Sequence, residues 1–219
     1  RKEGHSVEIT SMSALIPQIL TKATTEADSS NAPKWAAIMP RIEKDMTGRG
    51  LDRVPKNIAE IIAKIETDES NKKKGLIVSG TPGTGKTVRF KFIADRLGIK
   101  MITAHEVVRC LLIDGEEGLR ELCRLDISRY GSVPPHYYDL IIDDIGAEPT
   151  EQIVYGTRFN AIADIIERRY LIFPQWKTHF STNLTKEQLT DRYGERVFSR
   201  MNEMCHFVTL TGKDRRTNA

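Results

Sequence analysis

The rhythm of apolar and polar positions changes near residue 75. Upstream, residues 1–34 are dense in Ser, Thr, Ala and Asp, as in "TKATTEADSSNAP", and only "ALIPQIL" (Ala14 to Leu20) has the apolar character to anchor a partner or a short helix. This composition predicts a tail or linker. "PKWAAIMPRIEKDMTGRGLD" follows, broken up by two prolines and two glycines. "PKNIAEIIAKI" then places Ile58, Ile61, Ile62 and Ile65 on one helical face, with Pro55 in the first turn. A charged loop, "ETDESNKKK", closes this part.

From Gly75 onward short apolar runs alternate with helical periods. "GLIVS" (Gly75 to Ser79) is a continuous apolar run, the mark of a strand covered on both faces. A helix is predicted from Gly85 to about Leu97, ending at Gly98. "KMITA" (Lys100 to Ala104) reads as a second strand, "HEVVRCLLI" as a helix, and Asp114 to Pro135 as a polar, charged region. "YDLIIDD" (Tyr138 to Asp144) reads as a third strand. A helix over about Glu151 to Tyr170 would carry Tyr155, Phe159, Ile162, Ile166 and Tyr170 on one face. "WKTHFST" is a fourth strand, two short helices follow, and "CHFVTL" is the last strand. Such alternation predicts a three-layer α/β domain around a five-stranded parallel sheet, spanning residues 50–219 and preceded by an N-terminal segment, 1–49.

The bulk properties leave this picture intact. The chain has 219 residues, 39% hydrophobic and 29% charged, as for a globular protein with one sizeable domain. No stretch approaches the length of an apolar membrane span. Cys110, Cys123 and Cys205 are scattered without metal-like spacing, which fits small core or surface residues in a reducing cytoplasm. The net charge of +3 permits nucleic-acid binding without arguing for it.

Chemistry enters at "GTPGTGKT". Gly80, Gly85, Lys86 and Thr87 meet the pattern G-x-x-x-x-G-K-[ST], between a buried strand and a helix. The loop Gly80, Thr81, Pro82, Gly83, Thr84, Gly85 would turn its N–H groups toward phosphate, with the helix N-terminus at Lys86, Thr87 and Val88 adding its positive end. Lys86 would reach the β- and γ-phosphates, and Thr87 would offer its hydroxyl to Mg²⁺. "LIIDD" supplies the acidic strand end: Asp143 to hold Mg²⁺ through its water shell, Asp144 to orient or deprotonate the attacking water. Many such sites carry Glu at the second position. The shorter Asp144 therefore leaves Glu148, in "GAEPT", as an alternative base. Asn183, in "STN", lies beside the Asp143 strand if the two strands are neighbours. In "DRYGERVFSRM", Arg192, Arg196 and Arg200 recur every four residues and would share one helix face.

Taken in order, "GTPGTGKT", "LIIDDIGAEPT", "STNLT", "YGERVFSRM" and "LTGKDRR" resemble the AAA+ ATPases of the DnaC/IstB type, over about residues 50–216. The resemblance implies an ATP/ADP- and Mg²⁺-binding ATPase. Asn183 matches the family's sensor-1 residue, and Arg200 matches the arginine finger that reaches the nucleotide of a neighbouring subunit. Arg196 matches the finger's companion, and Arg216 the sensor-2-like arginine acting in cis. It further implies self-association into an ATP-bridged oligomer and no separate C-terminal lid domain, since the sequence closes at "TNA". Val54, Pro55 and Ile58 stand where an adenine pocket is expected. At the place where initiator-type members carry extra helical material, Arg120, Arg124 and Arg129 could face a DNA backbone with Tyr130 available to stack, although acids are interleaved. "NKKK" is a second basic candidate. The implied function is loading of a hexameric replicative helicase onto single-stranded DNA. The alternative is an IstB-like transposition ATPase that binds DNA and a transposase; its expected basic N-terminal module is not evident in residues 1–49.

Overall fold

A computed structural model describes residues 34–48, 62–63, 74–123, 138–154 and 156–211 of the chain. In chain order the elements are α1 (Lys34–Gly48), β1 (Gly75–Gly80), α2 (Lys86–Leu97), β2 (Lys100–Thr103), α3 (Ala104–Cys123), β3 (Leu140–Ile145), β4 (Gln152–Val154), β5 (Thr157–Phe159), α4 (Ala161–Leu171), β6 (Thr178–Thr182), α5 (Lys186–Tyr193), α6 (Glu195–Met204) and β7 (Cys205–Leu210). Five of the strands form a parallel sheet in the order β2-β3-β6-β1-β7.

Alternation along the strands sends side chains to two separate cores. Ile77, Leu140, Ile142 and Phe180 point to the face covered by α3, α4, α5 and α6, where they pack with Val107, Ile162 and Met201. Leu76, Val78, Ile141 and Leu210 point the other way, against Phe90 and Ile93 of α2 and Ile42 and Met46 of α1. Helices on both faces of a parallel sheet make the three layers expected from the sequence. The strand order also fixes where a ligand belongs. The chain leaves β1, jumps to the far edge at β2 and returns, so β6 lies between β1 and β3. The crevice at the carboxyl ends of those three strands is a topological switch point.

Three local expectations are corrected. The helix expected over Glu151–Tyr170 begins only at Ala161, where the Asn160 side chain accepts a hydrogen bond from the Ala163 N–H and caps it. The preceding residues instead form an antiparallel hairpin, β4 with β5, that turns at Gly156. Phe159 therefore sits on a strand, and Tyr155 lies outside the described residues. The segment read as a polar region after Ile113 continues as helix α3 to Cys123, kinked at Gly115. Arg169 braces its end: the buried guanidinium donates to the carbonyls of Cys123 (3.1 Å) and Lys177 (2.7 Å) and to Thr178 Oγ1 (2.8 Å). Finally, "KWAAIMPRIEKDMTG", expected to be broken up, is the continuous helix α1 with Pro40 inside it. Of the helix expected over Pro55–Ile65, only Ile62 and Ala63 are described; both are helical and buried.

Burial explains why α1 tolerates its proline. An interior proline removes a backbone hydrogen bond, but Ile42 and Met46 lose nearly all contact with water against the sheet. If α1 is part of the cooperative fold, Ile42→Ala lowers unfolding free energy in urea by about 2–4 kcal/mol. A loss below about 0.5 kcal/mol, the level of an ordinary surface change, would place α1 outside it.

Candidate nucleotide site

The loop between β1 and α2 has the shape its glycines predict. Gly83 (φ 79°) and Gly85 (φ 82°) take up left-handed backbone that other residues rarely adopt. Gly85 is the N-cap of α2 and supplies no side-chain cap, so the first N–H groups of the helix have no side-chain acceptor at that position. Lys86 is buried, and its Nζ donates to the carbonyls of Gly80 (2.6 Å) and Thr81 (3.1 Å). Thr84 is buried and its hydroxyl donates back to the Thr81 carbonyl at 2.8 Å. Arg89, also buried, donates to the Thr84 carbonyl. Thr87 is half-buried in the first turn of α2; Thr81, Pro82 and Val88 are exposed around the loop. Uncapped N–H groups, an ammonium and a hydroxyl at one helix N-terminus form a donor set for a phosphate chain.

Opposite this loop, the end of β3 is irregular. Ile142 pairs with Phe180 and Ile145 with Thr182, so Asp143 and Asp144 together face Ser181. This is a β-bulge, and Asp144 takes φ 60° within it, the one non-glycine residue with positive φ among the described residues. In a regular strand, neighbouring side chains point to opposite faces. Here one hydroxyl ties the two residues together: Ser181 Oγ donates to Asp143 Oδ1 and accepts from the backbone N–H of Asp144 at 2.7 Å. Asn183, on the next outward position of the same strand end, closes the circuit. Its Nδ2 donates to Asp144 Oδ1 at 3.1 Å, and its Oδ1 accepts from Lys86 Nζ at 2.6 Å. A connected chain of polar groups thus runs Lys86–Asn183–Asp144–Ser181–Asp143 across β1, β6 and β3. Asp143 is buried, and Asp144 is partly open to solvent. Asn183 is beside the Asp143 strand, as the sequence anticipated, because β3 and β6 are paired.

Glu148 is engaged elsewhere. Its side chain is 1% exposed and forms an ion pair with Arg192 at 3.1 Å. It also accepts from Tyr193 Oη at 2.7 Å and from the Gly146 N–H at 2.7 Å. Burial, and then the Glu148 charge, push the Tyr193 hydroxyl well above its usual pKa, so it remains a donor at neutral pH. A carboxylate so enclosed ties the β3–β4 connection to α5 and is not part of the chain from Lys86 to Asp143, whereas Asp144 is.

The arginines at spacing four divide. Gly194, at φ 87°, ends α5 and starts α6, so Arg192 belongs to one helix and Arg196 and Arg200 to the next. The shared face expected for all three does not exist. Arg196 and Arg200 instead converge on Glu167 of α4, the former at 3.4 Å, and the Arg200 guanidinium lies 4.7 Å from the centroid of the Tyr170 ring. Arg120 is exposed on the outer part of α3. Arg124, Arg129, Tyr130, Arg216, Val54, Pro55 and Ile58 lie outside the described residues, as do Asn71 to Lys73 of "NKKK".

Metal clusters of three or more His, Cys, Asp or Glu are absent among the described residues. A magnesium ion needs no such cage, since it binds through one or two protein oxygens, phosphate and water. Thr87 and Asp143 suit that role. None of the three thiols is activated: burial pushes Cys123 up to about 12 and raises Cys205, and burial with the Asp114 charge raises Cys110. Sequence reasoning missed Ser181, Arg89 and Glu167. Only Ser181 carried a signal, two positions before Asn183 and so on the same strand face.

A buried strand, a glycine-rich loop ending in Lys-Thr and a helix define the P-loop class of α/β domain. No protein-family model matches the chain, and neither does any curated protein. Among solved structures it is similar to AMPPCP-bound DnaA from Aquifex aeolicus, with 16% identity and a TM-score of 0.48 over 70% of this chain and 45% of the other. It is also similar to the Aeropyrum pernix ORC1 protein in complex with DNA, with 17% identity and a TM-score of 0.45 over 74% and 46%. The chain thus spans less than half the length of either.

Positive φ is costly for a residue with a Cβ, by about 1–2 kcal/mol, and such strain tends to collect at functional positions. Asp144→Gly is therefore expected to leave the melting temperature unchanged or raise it, while ATP turnover falls about 100-fold or more. A lowered melting temperature with turnover retained would contradict a catalytic role for the strained residue.

Proposed function

We propose that this chain is an ATP-binding AAA+ protein that hydrolyses ATP and works in DNA replication in the cytoplasm. In this reading it loads a hexameric replicative helicase onto single-stranded DNA. The observation that supports it best is the polar chain from Lys86 to Asp143, which joins the three strand ends at the switch point. It joins the Lys86 ammonium, the Asn183 amide and two aspartates in a single hydrogen-bonded arrangement, as a site for a phosphate chain requires. The ordered motifs of the sequence supply the replication and loader assignment.

In the proposed mechanism the loop from Gly80 to Thr87 holds the triphosphate, and Lys86 moves from the loop carbonyls to its terminal oxygens. Thr87 and Asp143 would hold a magnesium ion, which would supply positive charge against the phosphate oxygens. Asp144 takes the proton of the attacking water, and Asn183 orients that carboxylate. Ser181 holds both aspartates in place. Arg200 of a neighbouring copy stabilises charge that develops on the terminal phosphate, Arg196 supports it, and Arg216 assists in cis. Within its own subunit Arg200 pairs with Glu167 and stacks on Tyr170 of α4, and it makes no bond to the chain from Lys86 to Asp143. Arg120, with Arg124 and Arg129, is proposed to contact the DNA backbone.

Turnover per subunit should rise with protein concentration, and Arg200→Ala should reduce it about 10³-fold or more while ATP binding persists. Lys86→Ala should abolish binding of a fluorescent ATP analogue. Binding that survives Lys86→Ala, or turnover indifferent to both concentration and Arg200, would refute the reading. Capture of a replicative helicase in the presence of ATP, and not of a transposase, is the expected partner result.

A further inference from the structure

Glu167 does not belong to the nucleotide network, yet it gathers both arginines of α6. Its carboxylate is 28% exposed and pairs with Arg200, which is 22% exposed, and with Arg196, which is 77% exposed. On its other side Arg200 lies over the Tyr170 ring, whose hydroxyl is itself held by Glu203 at 2.8 Å. The guanidinium is therefore placed against a carboxylate and an aromatic face, both on α4. An arginine so held is preorganised but neutralised.

We propose that Glu167 is a specificity-determining residue for self-association: it holds Arg200 within the subunit, so that a second copy is joined only when that copy presents a nucleoside triphosphate. The inference rests on the trans role of Arg200 given above and extends it to nucleotide selectivity. The physical basis is competition for one guanidinium. A terminal phosphate of a triphosphate carries more negative charge than one carboxylate, and it accepts two parallel N–H bonds as a carboxylate does. A diphosphate ends one phosphoryl group short and presents no anion at that point. Arg196 makes the exchange reversible. When Arg200 leaves, Arg196 remains on Glu167, so the partly buried carboxylate keeps a cation and its release does not strand a charge.

The test uses the full chain and two substitutions at this cluster. Self-association is followed by sedimentation velocity with a non-hydrolysable ATP analogue, with ADP and without nucleotide, and turnover is measured across protein concentration. Partly exposed ion pairs contribute modestly, so Glu167→Gln is expected to lower the concentration for half-maximal turnover about three- to fivefold. The same variant should also assemble measurably with ADP, where the unaltered chain does not. Unchanged nucleotide selectivity in Glu167→Gln, or a rise in the concentration it needs, overturns the inference. Arg200→Ala separates the two claims. If it abolishes turnover while Glu167→Gln changes nothing, only the role of Glu167 fails. If Arg200→Ala is itself without effect, the trans-acting reading fails.

Discussion

The carboxyl edge of the sheet depends on one irregularity, the bulge that sets two residues of β3 against Ser181 of β6. A regular pairing would send Asp143 and Asp144 to opposite faces. The bulge sets the Asp143 carboxylate and the Asp144 backbone N–H on one hydroxyl and leaves Asp144 with a left-handed backbone. That pose aims its carboxylate at Asn183, and Asn183 at Lys86. Remove the bulge and the phosphate loop loses its link to the acids. The sheet order is what makes the link short, because β6 separates β1 from β3 and contributes both Ser181 and Asn183.

Three acids near this edge meet three different environments, and their roles follow. Glu148 is enclosed by an arginine, a tyrosine and a backbone N–H, so it is architectural. Asp144 is partly open and held by a single side-chain amide, which leaves carboxylate lone pairs for a water. Glu167 lies farther out, on α4, where it shares two arginines of α6. Charge at the edge is thus divided between an enclosed connection, a partly open acid in the polar chain and an ion-paired cluster between α4 and α6.

How far the sequence led depends on whether a feature is local or set by pairing. "GTPGTGKT" was legible because a strand, a glycine loop and a helix start are all fixed within fifteen residues or so. The acidic strand end and the five parallel strands were legible for the same reason. Ser181 was not, since its role exists only once β3 and β6 are in register. The hairpin β4–β5 was misread because Tyr155, Phe159, Ile162 and Ile166 imitate a helical period, while the Gly156 turn and the Asn160 cap divide the segment. Arg192 was grouped with Arg196 and Arg200 by spacing alone, and Gly194 breaks the helix between them. In α1 the reverse occurred: Pro40 argued against a helix that packing of Ile42 and Met46 maintains.

In the proposed mechanism two subunits complete one site, and mixing two inactive variants tests that arrangement. Lys86→Ala keeps Arg200 and is expected to lose the triphosphate, and Arg200→Ala is expected to hold the triphosphate without offering a finger. If Arg200 acts across a subunit boundary, the mixture hydrolyses ATP at a rate well above the sum of the separate proteins. A mixture no more active than that sum, with both variants folded and associating, would contradict the claim.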